Sequence, residues 1–405
     1  MTTLVRGLGP VRATGVGLSA MIGAGLFVAL GPVLAEAGSN ARWAILAAAL
    51  VAGCNAASSA RLAARHPTSG GTYVFARRQL DPTAGFLAGL MFVVGKTASC
   101  AAMALAVGVH LWPAHASLVA IVVVVVLTVV NLLGVQRSGD VALVLTTFVI
   151  IALLAVVAAT ATSPAAAGGT PEGADPGVGG VLAGAALMFF AFAGYARLAT
   201  LGEEVRSPAR TIPVASAVGF AIVTALYLLA AETVLRALPL ATAASSPRAL
   251  ADAAETTGPA WAEPVVAVAA VVAAGGALLT LLLGVSRTAL AMARDRNLPT
   301  PLRRVNDHGV PWVAEVGVAG AVIVALPLVG VADVIGLSAA CILLYYALTN
   351  LAAFTLPGAL GRAIAIAGLL GCFALFFSLP AVAVAVAAAL AGLGAAAHAT
   401  LLRRR

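Results

Sequence analysis

Charge is scarce in this sequence. Asp, Glu, Lys and Arg make up 9% of its 405 residues, where a soluble domain carries about a quarter. Lysine is almost missing: Lys96 is the only one, and every other basic side chain apart from histidine is an arginine. The four cysteines, Cys54, Cys100, Cys341 and Cys372, show no CxxC or metal-ligand spacing, which excludes a zinc site and makes a disulfide framework unexpected. They read as small packing residues. The histidines lie near span ends or in connections, without HExxH or clustered carboxylates, which argues against a metal hydrolase. No segment has room for a catalytic domain, no strand precedes the glycines of "GAGLF" to make a dinucleotide fingerprint, and no filter loop suggests a channel. No enzyme, cofactor or metal is expected.

What the chain does have is apolar length. It is 62% apolar with a mean hydropathy of +1.07, and its apolar runs are about twenty residues each, enough for a helix to cross a hydrocarbon core of about 30 Å. About twelve spans are expected: Ala13–Ala35, Ala41–Ala60, Thr83–Trp112, Ala116–Gly134, Val141–Thr160, Val181–Leu201, Thr211–Leu238, Ala262–Leu290, Trp312–Val331, Asp333–Leu356, Ala363–Phe377 and Ala381–Leu402. The first could pass for a signal peptide, but its apolar run exceeds the roughly 7–15 residues of a signal core. A single transmembrane domain over residues 1–405 follows. Of the connections, residues 162–180 read as a flexible Gly/Pro/Ala linker, whereas 241–264 and 293–311 have room for short interfacial helices.

With an even number of spans, most arginines (among them Arg61, Arg65, Arg77, Arg78, Arg294 and Arg303) fall on one side, and only Arg42, Arg236 and Arg248 on the other. The positive-inside rule puts both termini in the cytoplasm of a cell membrane. That asymmetry accounts for the net charge of +8 without a nucleic acid partner.

Glycines mark the interesting places. "SAMIGAGLF" sets Gly23 and Gly25 near the middle of the first span, and "FFAFAGY" sets Gly194 late in the sixth. Each costs about 1 kcal/mol of helix stability relative to alanine. Close helix contact is one reason to keep them. Their corresponding places five spans apart suggest another: two inverted five-helix repeats whose first helices are broken at mid-membrane. Unwound backbone at that depth must line a cavity. It offers N–H groups to a carboxylate and carbonyls to an ammonium, and an amino acid carries both.

At these residues the sequence resembles a known family. "IGAGLF" (Ile22–Phe27), "FFAFAGY" (Phe189–Tyr195), "EEVRSPARTIP" (Glu203–Pro213) and "SRTALAMARDRNLP" (Ser286–Pro299) are similar, in that order, to signatures of bacterial amino acid permeases of the amino acid-polyamine-organocation superfamily. The resemblance implies an all-α integral membrane protein of the LeuT-type fold. It would have 5+5 inverted repeats over about 12–161 and 181–356, discontinuous first and sixth helices, and two additional helices over about 363–402. It implies that Ile22, Gly23, Ala24 and Gly25 meet the substrate carboxylate, and that Phe190, Ala191, Phe192, Ala193 and Gly194 border its ammonium, with Phe192 as an aromatic gate. Arg197, Glu203, Glu204, Arg206 and Arg210 would form a cytoplasmic charge network, and Arg294, Asp295 and Arg296 a loop beside the inner gate. The chain departs from the pattern in two places. Ala196 and Arg197 stand where many relatives have an acid, and the fifth span has no lysine.

Lys96 is the remaining signal. Ten residues from Phe86 carry the third helix about 15 Å inward, to the bilayer middle. A lysine there costs about 2.5–3.5 kcal/mol unless it faces a polar interior. It is expected either to couple transport to an ion or touch substrate, or to make a structural hydrogen bond to broken-helix carbonyls. No acid sits at the middle of another span, Glu232 being nearer an end of the seventh. The expected function is secondary active transport of an amino acid or related amine by alternating access. H+ is the expected coupling ion, or at least sodium is not needed, and membrane lipid and the substrate are the only partners. An exchanger, or a nutrient receptor on the same fold, is the alternative.

Overall fold

The computed structural model describes residues 9–66, 70–134, 139–162, 176–195, 205 and 208–403. Among these, eleven helices are long and apolar enough to cross a membrane, and a shorter apolar helix, Trp312–Ala325, stands where the ninth span was expected. The chain is an all-helical, multi-pass membrane protein.

The first span begins with Pro10, whose missing N–H costs nothing at a helix start, and runs Pro10–Ile22. It breaks at Gly23 and Ala24, resumes as Gly25–Val28, and continues as Leu30–Ala37. The expected discontinuity is therefore present, inside a span that extends three residues further at its start and two at its end. The second span, Ala41–Arg65, is five residues longer than expected. After a short helix, Gly71–Gln79, the third span opens with Asp81, whose carboxylate accepts from the Thr83 and Ala84 N–H groups at 2.7 and 3.0 Å, followed by Pro82. It runs Pro82–Leu111. The fourth, fifth, sixth and seventh spans are Ala116–Leu132, Gly139–Ala161, Gly177–Phe192 and Pro208–Ala237. Two short helices, Leu240–Ser245 and Ala249–Thr257, occupy the following connection, as its length suggested.

The eighth span, Ala262–Arg294, runs four residues past its expected end. The ninth stops at Ala325, six residues before Val331, because Pro327 lies just beyond and has no N–H with which to continue the helical ladder. The tenth, eleventh and twelfth are Val331–Phe354, Ala359–Phe377 and Ala381–Arg403.

Burial separates inner from outer helices. The apolar windows of the first, third and tenth spans are each 67% buried, against 22% for the fourth and 11% for the twelfth. The fourth reads "IVVVVVLTVV", apolar on all sides, as suits a lipid-facing helix. The third packs closely on its neighbours through glycine: a Cβ on Gly95 would come within 2.8 Å of Cys341, and one on Gly89 within 2.6 Å of Met292. Cys100, Cys341 and Cys372 are buried and Cys54 half-buried, and all four are free.

Candidate functional site

The break in the first helix comes from Gly23, at φ +25° and ψ −133°, a backbone conformation that L side chains rarely adopt. The next turn starts afresh, with the N–H groups of Phe27 and Val28 bonded to the Ala24 carbonyl at 3.0 and 3.1 Å. The N–H groups of Ala24, Gly25 and Leu26 thus head a new half-helix. Ile22, Ala24 and Leu26 are at most 1% exposed, so these donors lie inside the protein.

The sixth helix approaches the break from the other side. Its α-helical part ends at Phe192 and tightens into a 3-10 turn, Ala193–Tyr195, in which the Ala193 N–H is shared between the Phe189 and Phe190 carbonyls. A Cβ on Gly25 would overlap Ala191, and one on Gly194 would overlap the backbone of Ala20 and Met21. Both glycines therefore permit close contact of the two broken regions, the packing role left open above.

Two side chains donate to carbonyls at the two breaks. Lys96 donates from Nζ to the Ala193 carbonyl at 3.3 Å, and the lysine is 6% exposed. Of the two readings for Lys96, the hydrogen bond to a broken-helix carbonyl is the one formed here. At 3.3 Å it is longer than the 2.7–2.9 Å usual for a charged donor, and an ammonium has three donors. Tyr227, from the seventh span, donates its hydroxyl to the Met21 carbonyl at 2.7 Å and approaches the Ala191 carbonyl at 3.2 Å. One phenol thus ties the last turn of the first half-helix to the sixth. The sequence reading missed it.

Aromatic rings close the region. Phe192 is fully buried, packing edge-on against Tyr227 at 5.1 Å and stacked near Phe220 at 6.0 Å. Tyr195 stacks on Tyr346 of the tenth span at 4.9 Å, and Phe189 meets Tyr346 edge-on at 5.9 Å. Phe190 is 6% exposed. On the third span, Ser99 pairs with Ser338 of the tenth at 2.7 Å. All five tyrosines of the chain, Tyr73, Tyr195, Tyr227, Tyr345 and Tyr346, are buried. That scarcity combined with burial is the signal that would have pointed to Tyr227, since a tyrosine hydroxyl inside a membrane protein needs a partner.

Of the expected charge network, Arg197, Glu203, Glu204 and Arg206 lie outside the described residues, and Arg210 is described only as part of the helix Pro208–Ala237. A different set of charges joins the end of the eighth span to Gly71–Gln79. Asp295 pairs with Arg77 and accepts from the Tyr73 hydroxyl at 2.5 Å, while Asn297 donates to the same hydroxyl at 3.0 Å. Burial and the Asp295 carboxylate push the Tyr73 phenol up to about 12, so it stays protonated through the physiological range. Asp295 was expected beside an inner gate; its partners come from the connection between the second and third spans. On the seventh-to-eighth connection, Arg248 gathers Asp252, Glu255 and Glu263 at 2.9, 3.2 and 3.0 Å. A Cβ on Gly31 would overlap the Ser246 carbonyl, so this connection packs directly on the half-helix beyond the break.

A family model described as amino acid permease matches residues 8–390. An uncharacterized transporter of Mycobacterium tuberculosis is 50% identical over 403 residues, 98% of this chain and 91% of its own length. The branched-chain amino acid permease BcaP of Bacillus subtilis is 28% identical over 77% of this chain and 72% of its own. The vacuolar cationic amino acid transporter 4 of Arabidopsis thaliana is 26% identical over 73% of this chain and 54% of its own. The signatures at Ile22–Phe27 and Phe189–Tyr195, the broken first helix and a match over nearly the whole length agree: this chain belongs to the amino acid permease family of the amino acid-polyamine-organocation superfamily.

Proposed function

We propose that the chain carries amino acids across the membrane by alternating access, independently of sodium and coupled to protons. The observation that carries this reading is the Lys96 ammonium on the Ala193 carbonyl, beside the break at Gly23 and Ala24. The N–H groups of Ala24 and Gly25, at the head of the second half-helix, receive the substrate carboxylate, and the carbonyls of Phe190 to Ala193 receive its α-ammonium. In this conformation Lys96 holds one of those carbonyls. A substrate ammonium competes for the same oxygen, and on binding it frees the lysine to face the incoming carboxylate. Losing a proton then removes the attraction that keeps the loaded site closed.

Neutral apolar amino acids fit best. A fixed cation at Lys96 opposes lysine and arginine, and the walls are the rings of Phe189, Phe192, Tyr195 and Tyr346. The likeness to a branched-chain permease favours this reading over the likeness to a cationic transporter. Residues 12–161 and 181–356 form the two inverted repeats, both termini are cytoplasmic, and Arg197, Glu203, Glu204, Arg206 and Arg210 close the cytoplasmic side. Counterflow of labelled leucine, isoleucine or valine in sodium-free proteoliposomes is expected. Binding without counterflow would make the protein a receptor.

A further inference from the structure

Glu315 stands apart from the site between the broken helices. It is the fourth residue of the ninth span, and its side chain is fully buried. Its two oxygens have unlike surroundings. Oε1 accepts from Asn131 Nδ2 at 2.8 Å, and the same nitrogen donates to the Leu279 carbonyl at 3.0 Å. A backbone carbonyl can only accept, so the nitrogen end of the Asn131 amide must point this way, and both its hydrogens are used. Oε2 is buried and, among the described residues, receives no donor in bonding geometry. Ser286 of the eighth span lies beside the carboxyl. Its hydroxyl donates to the Leu283 carbonyl at 3.0 Å, and with its one hydrogen used there the oxygen can only accept from Glu315.

That polarity suits a carboxylic acid. A hydrogen on Oε2 would be donated to Ser286 Oγ, whose own hydrogen continues to the Leu283 carbonyl, while Asn131 supplies Oε1. Every donor then has an acceptor. A carboxylate would instead leave a charged, donorless oxygen in the protein interior. The Asn131 amide serves Oε1 in either form, and Ser286 could serve the anion only by giving up the Leu283 carbonyl; two further features favour the anion. Glu315 lies in the first turn of its helix, where the dipole helps an acid only at its very end. Arg287 is within electrostatic range but exposed on the outside of the protein, and it makes no bond to Oε2. The elements packed around Glu315 offer little else. The fourth span Ala116–Leu132 carries no ionisable side chain. The eighth adds Arg294 at its end, and the turn Thr300–Arg303 adds Arg303, whose Nε is held by the Ala293 carbonyl at 2.7 Å. The third span adds Cys100, within electrostatic range of both Glu315 and Lys96.

We propose that Glu315 is a proton-binding site: it holds a proton between Asn131 of the fourth span and Ser286 of the eighth, and exchanges it during the transport cycle. Losing that proton with the three helices together buries a bare charge, so release goes with separation of the ninth span from the eighth. The exchange rests on the transport reading above; the protonation does not.

Infrared spectroscopy of the purified protein tests protonation. The wild type should show a protonated-carboxyl stretch at neutral pH that shifts in D2O, disappears in Glu315→Gln and changes frequency in Ser286→Ala. No such band in the wild type, or its survival in Glu315→Gln, overturns the proposal whether or not the chain transports. Glu315→Gln keeps the shape and a donor for Ser286, so substrate binding and counterflow should persist while the pH profile of uptake changes to the part that Lys96 alone supplies. An unchanged pH profile in Glu315→Gln overturns the exchange. Absence of counterflow in the wild type refutes the transport reading and the exchange with it, and the infrared band still decides protonation.

Discussion

Tyr227→Phe removes one oxygen and leaves the ring. The ring keeps its edge-on contact with Phe192 at 5.1 Å, so packing is conserved and only the hydroxyl bonds to Met21 and Ala191 are lost. Tyr227 is fully buried, and water does not readily replace its hydroxyl. Leaving a buried acceptor unsatisfied costs about 1–3 kcal/mol, a factor of roughly 5–150 in an equilibrium constant. Met21 bears most of this, because one hydroxyl has one hydrogen and the 2.7 Å bond is the stronger. The cost falls on the state in which the broken first helix is docked against the sixth. The assay is substrate affinity in detergent, by thermal shift, together with counterflow in proteoliposomes. Tyr227→Phe should weaken affinity by a factor within that range while expression and ring packing are kept. Wild-type affinity and counterflow in this variant would refute the claim that the phenol holds the two breaks together.

Gly194→Ala should destabilise the protein and abolish transport, because the new Cβ meets the backbone of Ala20 and Met21 and not a yielding side chain; a stable, active Gly194→Ala protein would contradict this close approach. Asp295→Asn should change turnover more than affinity, since it removes the charge that Arg77 and Tyr73 share at the end of the eighth span. The Arg77 pair is partly exposed and is worth at most about 1 kcal/mol, so the expected change is a few-fold, read from initial rates. His66 receives a hydrogen bond from Gln79 at 2.8 Å, and burial with Arg78 and Arg65 nearby hold its imidazole below the usual value. A depressed folded value means stability present above the unfolded value of about 6.5 and lost as pH falls below it. Melting temperature should therefore drop on acidification, and the drop should shrink in His66→Gln.

The spans were legible because apolar runs of membrane length leave few alternatives, and the first helix break was legible because glycines cost too much there without a purpose. The ends were harder. The second and eighth spans continue past their apolar runs through Arg61, Arg65 and Arg294, where charge suggested a loop but the helix persists. Arg61 shows why: its guanidinium donates to the Pro357 carbonyl at 2.9 Å, holding the second span to the end of the tenth. Tyr227 and Glu315 carried no motif. Glu315, three residues from a helix start, looks interfacial in one dimension and becomes buried only when the fourth and eighth spans close over it. Lys96 was legible as an anomaly of composition, and its partner only as a carbonyl of the expected kind.

Accumulation of labelled leucine, isoleucine or valine in sodium-free proteoliposomes under an inward proton gradient, wild type against Lys96→Met, tests the account most directly. The wild type should concentrate substrate in proportion to the gradient. Lys96→Met should still bind and exchange substrate through the backbone groups of the two breaks, but should fail to accumulate it. If Lys96→Met concentrates substrate as the wild type does, the lysine is only a structural donor to Ala193, and the proposed coupling is wrong.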